Sequence, residues 1–258
     1  MLHHDELDPA LGEGWITEVI RPVKSGKEAS VYLCRGSDRS GERLVAAKVY
    51  REQRTFSHDA GYWEGATRHW GRRLNVAADK RSAFGRELRF NAWIGRELEH
   101  LTALHAAGAL VPRPIAVEGS ALLLSWIGDE DGAAPPLHVV RLDREEAPGV
   151  LEALLAQVEL FLTHDLVHGD LSEYNVLFWE GAPVVIDFPQ AVDPRFNRAA
   201  RSLLERDVRN LARYFDRYGI RLDWRRRSAD LWSRWLNSEL GLKAAPAAED
   251  WEFWKQFV

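Results

Sequence analysis

Two short segments in the second half of the chain decide its fold. Residues 168–175 read His-Gly-Asp-Leu-Ser-Glu-Tyr-Asn, and residues 184–189 read Val-Val-Ile-Asp-Phe-Pro. The first segment places a carboxylate, Asp170, and an amide, Asn175, on a loop that enters a predicted hairpin. The second is an apolar strand that delivers Asp187 to its C-terminal end. At this spacing one carboxylate can face a hydroxyl nucleophile while the other oxygens bind a divalent cation such as Mg²⁺.

A lysine in the first half of the chain complements these acidic residues. Residues 45–50 read Val-Ala-Ala-Lys-Val-Tyr, which is typical of a strand, and Lys48 takes a position whose neighbours on the same face are apolar. Burying an ammonium group costs free energy unless an anion meets it. We expect phosphate groups and a helix glutamate to be those anions. Glu97 is the glutamate we select, with Glu99 and Glu87 as alternatives.

A glycine-containing loop lies between the first two predicted strands. Residues 24–32 read Lys-Ser-Gly-Lys-Glu-Ala-Ser-Val-Tyr. A Walker A motif is excluded, because Glu28 follows Gly26-Lys27 and Arg21 stands where that motif requires a glycine. The loop runs directly into a strand with a valine near its start, which is typical of a nucleotide-phosphate loop.

These segments closely resemble the phosphate loop, the catalytic loop and the metal-binding segment of RIO-type atypical serine/threonine protein kinases. They follow one another in the expected order from Lys24 to about Asp207, and residues 45–50 resemble the third-strand signature of the wider protein-kinase-like superfamily. The resemblance implies an α+β, bilobal protein-kinase-like fold, with a small antiparallel-sheet N-terminal lobe and a trimmed, mainly helical C-terminal lobe. It also implies dependence on ATP and Mg²⁺.

The resemblance implies a role for each matching residue. Asp170 and Asp187 would be the catalytic carboxylates, and Asn175 and Asp187 would bind the metal. Nucleotide binding falls to the loop, to the lysine and its glutamate, and to the end of a later strand: Ser25, Gly26, Lys27, Glu28, Ala29, Ser30, Val31, Lys48, Glu97, Trp126 and Ile127.

Hydrophobic periodicity outlines two domains. The N-terminal domain, residues 1–128, contains three antiparallel strands within residues 15–50, an insertion at 51–90, a helix from Ala92 to about Ala107, and a strand from Ala121 to Ile127. The C-terminal domain, residues 129–258, begins in the proline- and glycine-containing stretch Asp129 to Pro136. Its predicted helices are Val150–Thr163, Ser202–Tyr218 and Ser228–Leu240, and its hairpin joins Val176–Trp179 to Val184–Asp187 through a turn at residues 180–183.

Composition limits the classes of function. The net charge of −5 and the pI near 6.0 argue against a globally basic nucleic-acid-binding protein. Cys34 is the single cysteine, which excludes an intrachain disulfide and fits a reducing compartment. No basic flank precedes an apolar segment near the N-terminus, and no apolar run reaches the length of a membrane span. We therefore expect a cytoplasmic protein that is neither exported by a standard signal nor inserted in a membrane.

The segment 51–90 is the locally basic part of this prediction. It carries nine arginines and lysines against five acidic residues, interleaved with Trp63 and Trp70. Phosphate contacts and base stacking by such a segment would bind RNA. The alternative, which we favour, is a solvated mobile loop. RIO kinases of other organisms act in ribosome maturation, so a ribosomal or RNA-containing partner is implied by the resemblance alone.

Three functions are compatible with these motifs. The first is a RIO-type serine/threonine protein kinase that phosphorylates a protein or itself, with ATPase activity through an aspartyl-phosphate. The second is a small-molecule phosphotransferase of the aminoglycoside or choline kinase type, whose corresponding segments look similar. The third is a nucleotide-binding pseudokinase scaffold. The phosphate loop and Gln190 after Phe188-Pro189 favour the first, and the presence of Lys48, Asp170 and Asp187 argues against the third.

Overall fold

A five-stranded antiparallel sheet organises the first half of the chain. The computed structural model describes residues 5–51 and 83–240, and the strand order is β1-β2-β3-β5-β4. The strands are β1 (Ile16–Ser25), β2 (Ala29–Gly36), β3 (Leu44–Tyr50), β4 (Pro114–Glu118) and β5 (Ala121–Ser125). The first three confirm the predicted antiparallel start of the chain.

The two faces of this sheet differ in what they contact. On one face, Val45, Ala47 and Val49 of β3 belong to a buried core that also contains Leu7 and Ala10. Those last two residues come from a 3-10 turn (Asp5–Leu7) and from helix α1 (Asp8–Gly12), which the periodicity of the sequence did not predict. Side chains alternate along a strand, so the even-numbered residues of β3 face the opposite side.

Helix α2 (Ala83–Ala106) is longer than predicted. It begins before Ala92, so the predicted insertion at 51–90 is wrong for residues 83–90. The reason is that residues 83–91 contain alanine, arginine, glutamate and leucine, which are strong helix formers, and a high content of charged residues is compatible with a helix. The remainder of the insertion, with Trp63 and Trp70, lies outside the described residues.

The two strands after α2 also differ from the prediction. The prediction of one strand from Ala121 to Ile127 is wrong at its end, because β5 stops at Ser125. It also missed β4, which begins at Pro114. A proline cannot donate to a ladder, but β4 is an edge strand in the sheet order, where the missing donor is tolerated.

The second half of the chain is mainly helical, as predicted. Its elements are α3 (Glu146–Thr163), β6 (Val176–Trp179), β7 (Ala182–Val185), α4 (Ala200–Phe215) and α5 (Trp224–Leu236). Each helix starts earlier than its predicted first residue. For α5 the start is set by Asp223, whose side chain accepts a hydrogen bond from the Arg226 backbone and caps the helix. A 3-10 turn (Asp216–Tyr218) follows α4 and ends at Gly219, which has a φ of 82°.

The hairpin of β6 and β7 has a two-residue turn. Glu180 and Gly181 have φ values of 50° and 83°, as in the primed turns that suit hairpins. The predicted turn at 180–183 is therefore wrong, because Ala182 pairs with Trp179. The predicted strand Val184–Asp187 is wrong as well, since β7 ends at Val185 and the φ of 72° at Asp187 is not a strand conformation.

The described residues divide into two units, which we call the N-terminal and C-terminal units. The first takes in the described residues up to Thr102 together with Pro112–Ala133. The second contains Ala103–Val111 and the described residues from Ala134 onward. Within both units, no described helix has the length and apolar character that crossing a membrane demands.

Gln157 fastens the segment Ala103–Val111 inside the C-terminal unit. This α3 side chain is only 1% exposed, and its Oε1 accepts a hydrogen bond of 2.8 Å from the Leu110 backbone. The Leu110 carbonyl in turn accepts a bond of 2.8 Å from the Val185 backbone. A buried side-chain amide oxygen therefore satisfies the backbone donor of Leu110.

We expect Gln157→Leu to lower the free energy of unfolding by about 1–3 kcal/mol, because the Leu110 N–H would be left buried and unsatisfied. Urea denaturation measures the loss. Glu152→Leu, on the exposed side of the same helix, serves as the control and should stay within about 0.5 kcal/mol of the parent. Equal losses in the two variants would contradict the role assigned to Gln157.

Candidate active site

The loop at residues 168–175 brings Asp170 and Asn175 into contact. The Asn175 side-chain nitrogen donates to the Asp170 carbonyl at 2.9 Å and to the Asp170 carboxylate Oδ2 at 3.1 Å. These bonds use the amide nitrogen, so Oδ1 is the atom of Asn175 that can serve as a cation ligand. The Asp170 side chain is exposed and can therefore be reached by a substrate hydroxyl.

The buried side chain of His168 holds this loop through hydrogen bonds. Its ring is 2% exposed, Nδ1 accepts from the Asp170 backbone at 3.2 Å, and Nε2 lies 3.2 Å from the Ile186 carbonyl. An Nδ1 acceptor requires Nε2 to carry the proton, so the ring is a neutral imidazole that donates to Ile186. Phe188 packs against it with ring centroids 4.6 Å apart. His168 thus ties the loop to the segment that carries Asp187.

Helix α4 holds the loop backbone through a buried carboxylate. Asp207 is 1% exposed, and its two oxygens accept hydrogen bonds from the backbones of Gly169 at 2.8 Å and Leu171 at 2.9 Å. Two further α4 side chains bind loop carbonyls: Arg206 donates to Gly169, and Asn210 donates to Leu171 at 3.0 Å. The residues on both sides of Asp170 are therefore fixed by one helix.

The environment of Asp207 changes its ionisation. Burial raises the pKa of Asp207 to about 7, while the hydrogen bonds from Gly169 and Leu171 and the charge of Arg206 act to lower it. The ionised carboxylate accepts the two backbone N–H groups most strongly, because protonation neutralises the charge and turns one oxygen into an O–H group that is a poorer acceptor. The clamp on the loop is therefore complete above about pH 7 and weakens below it.

Sequence analysis did not assign a role to Asp207. The signal that could have found it is positional, because α4 is amphipathic and its apolar face contains Leu204, Val208 and Leu211. Asp207 shares that buried face, one helical turn from Leu204 and from Leu211. An acidic residue at such a position must have a buried partner.

Asp187 lies two residues after the end of the strand β7. The Ile186 backbone donates to the Asn175 carbonyl at 2.9 Å, so the loop of Asn175 and the segment of Asp187 are joined beside each other. Asp187 has a φ of 72°, a conformation that a residue other than glycine rarely adopts. One carboxylate and one amide oxygen on adjacent segments are hard oxygen donors, and they fit Mg²⁺, which prefers such ligands together with water and phosphate oxygens.

In the N-terminal unit, Lys48 forms a buried ion pair. Its Nζ lies 3.0 Å from Oε1 of Glu97, and the two side chains are 13% and 3% exposed. Glu97 is the glutamate selected from the sequence, whereas Glu99 is exposed and the side chain of Glu87 is outside the described set. The pair satisfies two charges that would be costly to bury separately.

Tyr50 completes this cluster and had no predicted role. Its hydroxyl donates to Oε2 of Glu97, and its ring lies 4.8 Å from the Lys48 Nζ. Burial raises the pKa of the Tyr50 phenol well above its ordinary value, so the group remains a donor. Because Lys48 and Tyr50 are two residues apart on β3, both point to the same face, a spacing visible in the sequence.

The phosphate loop joins β1 to β2. Gly26 N–H donates to the Ala29 carbonyl at 2.8 Å, and Lys27 and Glu28 are exposed. Val31 pairs with Lys48 across the ladder and shares its face. Ser30 pairs with Val49, whose side chain belongs to the core on the opposite face.

The structure therefore does not bring Ser25 and Ser30 to the lysine face. The two serine hydroxyls lie 3.3 Å apart, and both accept from the Arg51 guanidinium, at 2.7 Å and 3.3 Å.

At the end of β5, the Trp126 indole nitrogen donates to the Asp129 carbonyl at 2.9 Å, and Ile127 is half-buried.

Comparison with known proteins places these residues in one family. A family model of the RIO domain matches residues 30–227. The chain belongs to the RIO domain family. The matched range contains Lys48, Asp170 and Asp207 but begins just after the predicted loop residues Ser25 to Ala29.

Relatives with the RIO domain carry descriptions of one kind. The RIO-type serine/threonine-protein kinase Rio1 of Haloferax volcanii is 35% identical over 212 residues, which cover 82% of this chain and 68% of that protein. The protein of the same description in Thermoplasma acidophilum is 32% identical over 185 residues, 71% of this chain and 91% of its own length. The serine/threonine-protein kinase RIO1 of Chaetomium thermophilum is 30% identical over 222 residues, 81% of this chain but 41% of that protein.

Two glycines allow the close packing of the loop at residues 168–175 to be tested. Gly169 has a φ of 80°, and a Cβ added there would lie 2.7 Å from the Gln190 carbonyl oxygen. Gly219 has a φ of 82°, and a Cβ added there would meet no atom within 4 Å apart from its chain neighbours. We expect Gly219→Ala to cost roughly 1–2 kcal/mol from backbone strain alone. Gly169→Ala should cost about 1–3 kcal/mol more, because the clash is with backbone. Chemical denaturation measures both, and equal losses would show that the close approach at Gly169 is unimportant.

Proposed function

We propose that this chain is an ATP- and Mg²⁺-dependent serine/threonine protein kinase of the RIO type. The observation that carries the proposal is the contact of Asp170 with Asn175 on a loop whose backbone is held on both sides by Asp207. Membership of the RIO domain family and the kinase descriptions of the relatives support the same reaction. The chain would transfer the γ-phosphoryl group to a hydroxyl of a protein acceptor or of itself.

The C-terminal unit would supply the chemical step. The exposed carboxylate of Asp170 accepts the proton of the attacking hydroxyl, and its contact with Asn175 orients it. Asn175 Oδ1 and the Asp187 carboxylate would hold Mg²⁺, and the bound ion would neutralise phosphate charge. Asp207 acts through the loop backbone, so it positions Asp170 and does not touch the reacting atoms.

The N-terminal unit would bind the nucleotide. Lys48 is oriented by Glu97, which is in turn held by Tyr50, and its ammonium charge would attract phosphate oxygens of the nucleotide. Val31 shares the face of Lys48 and would pack against the base. Gly26 to Ala29 form the tight loop through which backbone N–H groups approach phosphate.

We also propose partners and a cellular location for this chain. ATP and a protein acceptor follow from the kinase assignment, and a ribosomal or RNA-containing partner follows from resemblance to RIO kinases of other organisms. A cytoplasmic location is favoured by Cys34, which is a free thiol in the structure, and burial raises its pKa to about 12.

The central test is transfer from γ-labelled ATP with Mg²⁺, with the label followed into protein, free phosphate and small acceptors such as choline and aminoglycosides. We expect label in protein. Asp170→Asn should reduce transfer by about 10²- to 10⁴-fold while nucleotide affinity is unchanged, since only the base is removed. Glu173→Gln, in the same loop, is the matched control and should retain the parent rate.

Each other outcome has a definite meaning. Label confined to a small acceptor would replace the proposal with a small-molecule phosphotransferase. Nucleotide binding without any transfer would identify a pseudokinase. A loss of nucleotide affinity as large as the loss of transfer in Asp170→Asn would make Asp170 a structural residue.

The ionisation of Asp207 predicts a pH dependence. We expect kcat to fall as the pH falls through about 7, because protonation of Asp207 weakens its hydrogen bonds to the loop N–H groups. Arg206 lowers the pKa of Asp207, so Arg206→Gln should move this acid limb to higher pH. Arg209→Gln, an exposed α4 residue that does not contact Asp207, should leave it in place. A kcat profile from about pH 5 to 9 is the measurement, and a limb that both variants share with the parent would contradict this.

We further propose that Asp187 supports slow ATP hydrolysis. Its carboxylate oxygen would attack the γ-phosphorus with departure of ADP, and water would then cleave the acyl phosphate to phosphate and free Asp187. An acyl phosphate is cleaved by hydroxylamine, whereas phosphoserine survives it. We expect a hydroxylamine-sensitive fraction of protein-bound label that is lost in Asp187→Asn. If all the label resists hydroxylamine and single-turnover hydrolysis has no labelled intermediate, transfer occurs directly to hydroxyl groups.

A further inference from the structure

Two exposed hydrophobic residues lie close together in the C-terminal unit. Among the described residues, the large hydrophobic side chains that remain exposed are Val139, Tyr174, Phe196 and Leu236. Val139 follows His138 in the chain, and the His138 ring packs against the Tyr174 ring with centroids 4.5 Å apart. We call Val139 and Tyr174 the apolar pair. A single exposed hydrophobic residue is ordinary on a protein surface, but these two are brought together from different segments.

The turn that carries Val139 is fixed by hydrogen bonds. It is a 3-10 turn, Leu137–Val139, and its first residue is fully buried. The Leu137 carbonyl accepts a bond of 2.7 Å from the Tyr214 hydroxyl of α4. The His138 backbone donates to the Glu173 carbonyl at 3.0 Å. The turn is therefore bonded both to α4 and to the loop at residues 168–175, so Val139 is exposed at a defined position.

Tyr174 belongs to the same loop as the proposed catalytic base. It directly precedes Asn175, whose side-chain nitrogen donates to the Asp170 carboxylate at 3.1 Å. The tyrosine side chain is 59% exposed although one side of its ring contacts His138. Most of the ring can therefore still be covered by another molecule. The chemical step proposed above makes no use of this ring.

The covalent chain limits the distance between the base and the apolar pair. Asp170 and Tyr174 are four residues apart, and four residues span at most about 14 Å. An extended peptide advances about 3.3 Å per residue, so it covers this distance in about four residues. A peptide whose hydroxyl lies at Asp170 therefore reaches Tyr174 with a nearby side chain, and the apolar pair is continuous with the acceptor position.

We propose that the apolar pair binds a large apolar side chain of the protein acceptor, within about four residues of the phosphorylated serine or threonine. This inference rests on the proposed kinase function and specifies its acceptor. Val139 presents only methyl groups, which gain free energy against an apolar side chain and not against a charged one. The Tyr174 ring adds an aromatic face to the same contact. The pair determines specificity and does not touch the reacting atoms.

The test uses the full chain and a series of short peptides. Each peptide has one serine in an alanine- and glutamine-based background, and a single leucine is moved from five residues before the serine to five residues after it. Fluorescence anisotropy measures binding, and γ-labelled ATP with Mg²⁺ measures transfer. We expect leucine at a position within about four residues of the serine to tighten binding and lower KM about tenfold relative to alanine, with kcat little changed.

Variants of the apolar pair identify the contact. Val139→Ser and Tyr174→Ser should each reduce the preference for leucine over alanine about fivefold, whereas Tyr174→Phe should retain it because the ring makes the contact. Leu236→Ser is the matched control, since this side chain is 62% exposed at the end of α5, and it should retain the preference. The two peptides are compared within each variant, so a general disturbance of the loop affects both equally. Thermal melting checks that every variant is folded.

The two measurements separate failure of this inference from failure of the kinase proposal. Transfer to peptides without a leucine preference, or a preference that survives in both serine variants, would overturn the acceptor site and leave the kinase proposal standing. An equal loss in Leu236→Ser would also overturn it, as would the absence of leucine-selective binding.

Leucine-selective binding that both serine variants lose, without label in any peptide, would support the apolar pair as a peptide site and count against the kinase reaction alone. A dimer in sedimentation experiments that Val139→Ser and Tyr174→Ser dissociate would make the pair a contact between copies of this chain, and would overturn its assignment to the acceptor.

Discussion

The hydrogen bonds from the loop backbone to Asp207 are the constraint on which the proposed chemistry depends. A carboxylate that is 1% exposed accepts hydrogen bonds from the residues before and after Asp170, so the backbone on both sides of Asp170 is held while its side chain stays exposed. Burying this charge is costly, and its pKa rises to about 7 for that reason. The same burial that makes the clamp rigid therefore makes it sensitive to acid.

The N-terminal unit uses a second buried carboxylate in a different way. Glu97 has one oxygen on the Lys48 ammonium and the other on the Tyr50 hydroxyl, so its charge is met by a cation and a neutral donor. Asp207 is met mainly by backbone N–H groups. In each case an acid on a helix orients a residue on another element. Glu97 of α2 orients Lys48 of β3, and Asp207 of α4 holds the backbone on both sides of Asp170.

Helix α4 has two faces of different chemistry. Its buried face supplies Asp207, and Arg206 and Asn210 also bind backbone carbonyls of the loop at residues 168–175. Its exposed face carries Arg209 and Arg213. The net charge of the chain conceals this division, because an acidic average is compatible with a basic surface formed by neighbouring helices.

The sequence by itself determined the α+β class, the order of the motifs, and the identity of Lys48, Asp170, Asn175 and Asp187 as candidates, because each lies in a short segment whose chemistry can be understood locally. Tertiary structure alone decided that Asp207 clamps the loop, that Tyr50 joins Glu97, and that Ser30 lies on the face opposite Lys48. It also decided where β5 and β7 end. Periodicity shows which residues share a face of a helix or strand, but the partner across that face comes from a distant part of the chain and is chosen only when the elements pack.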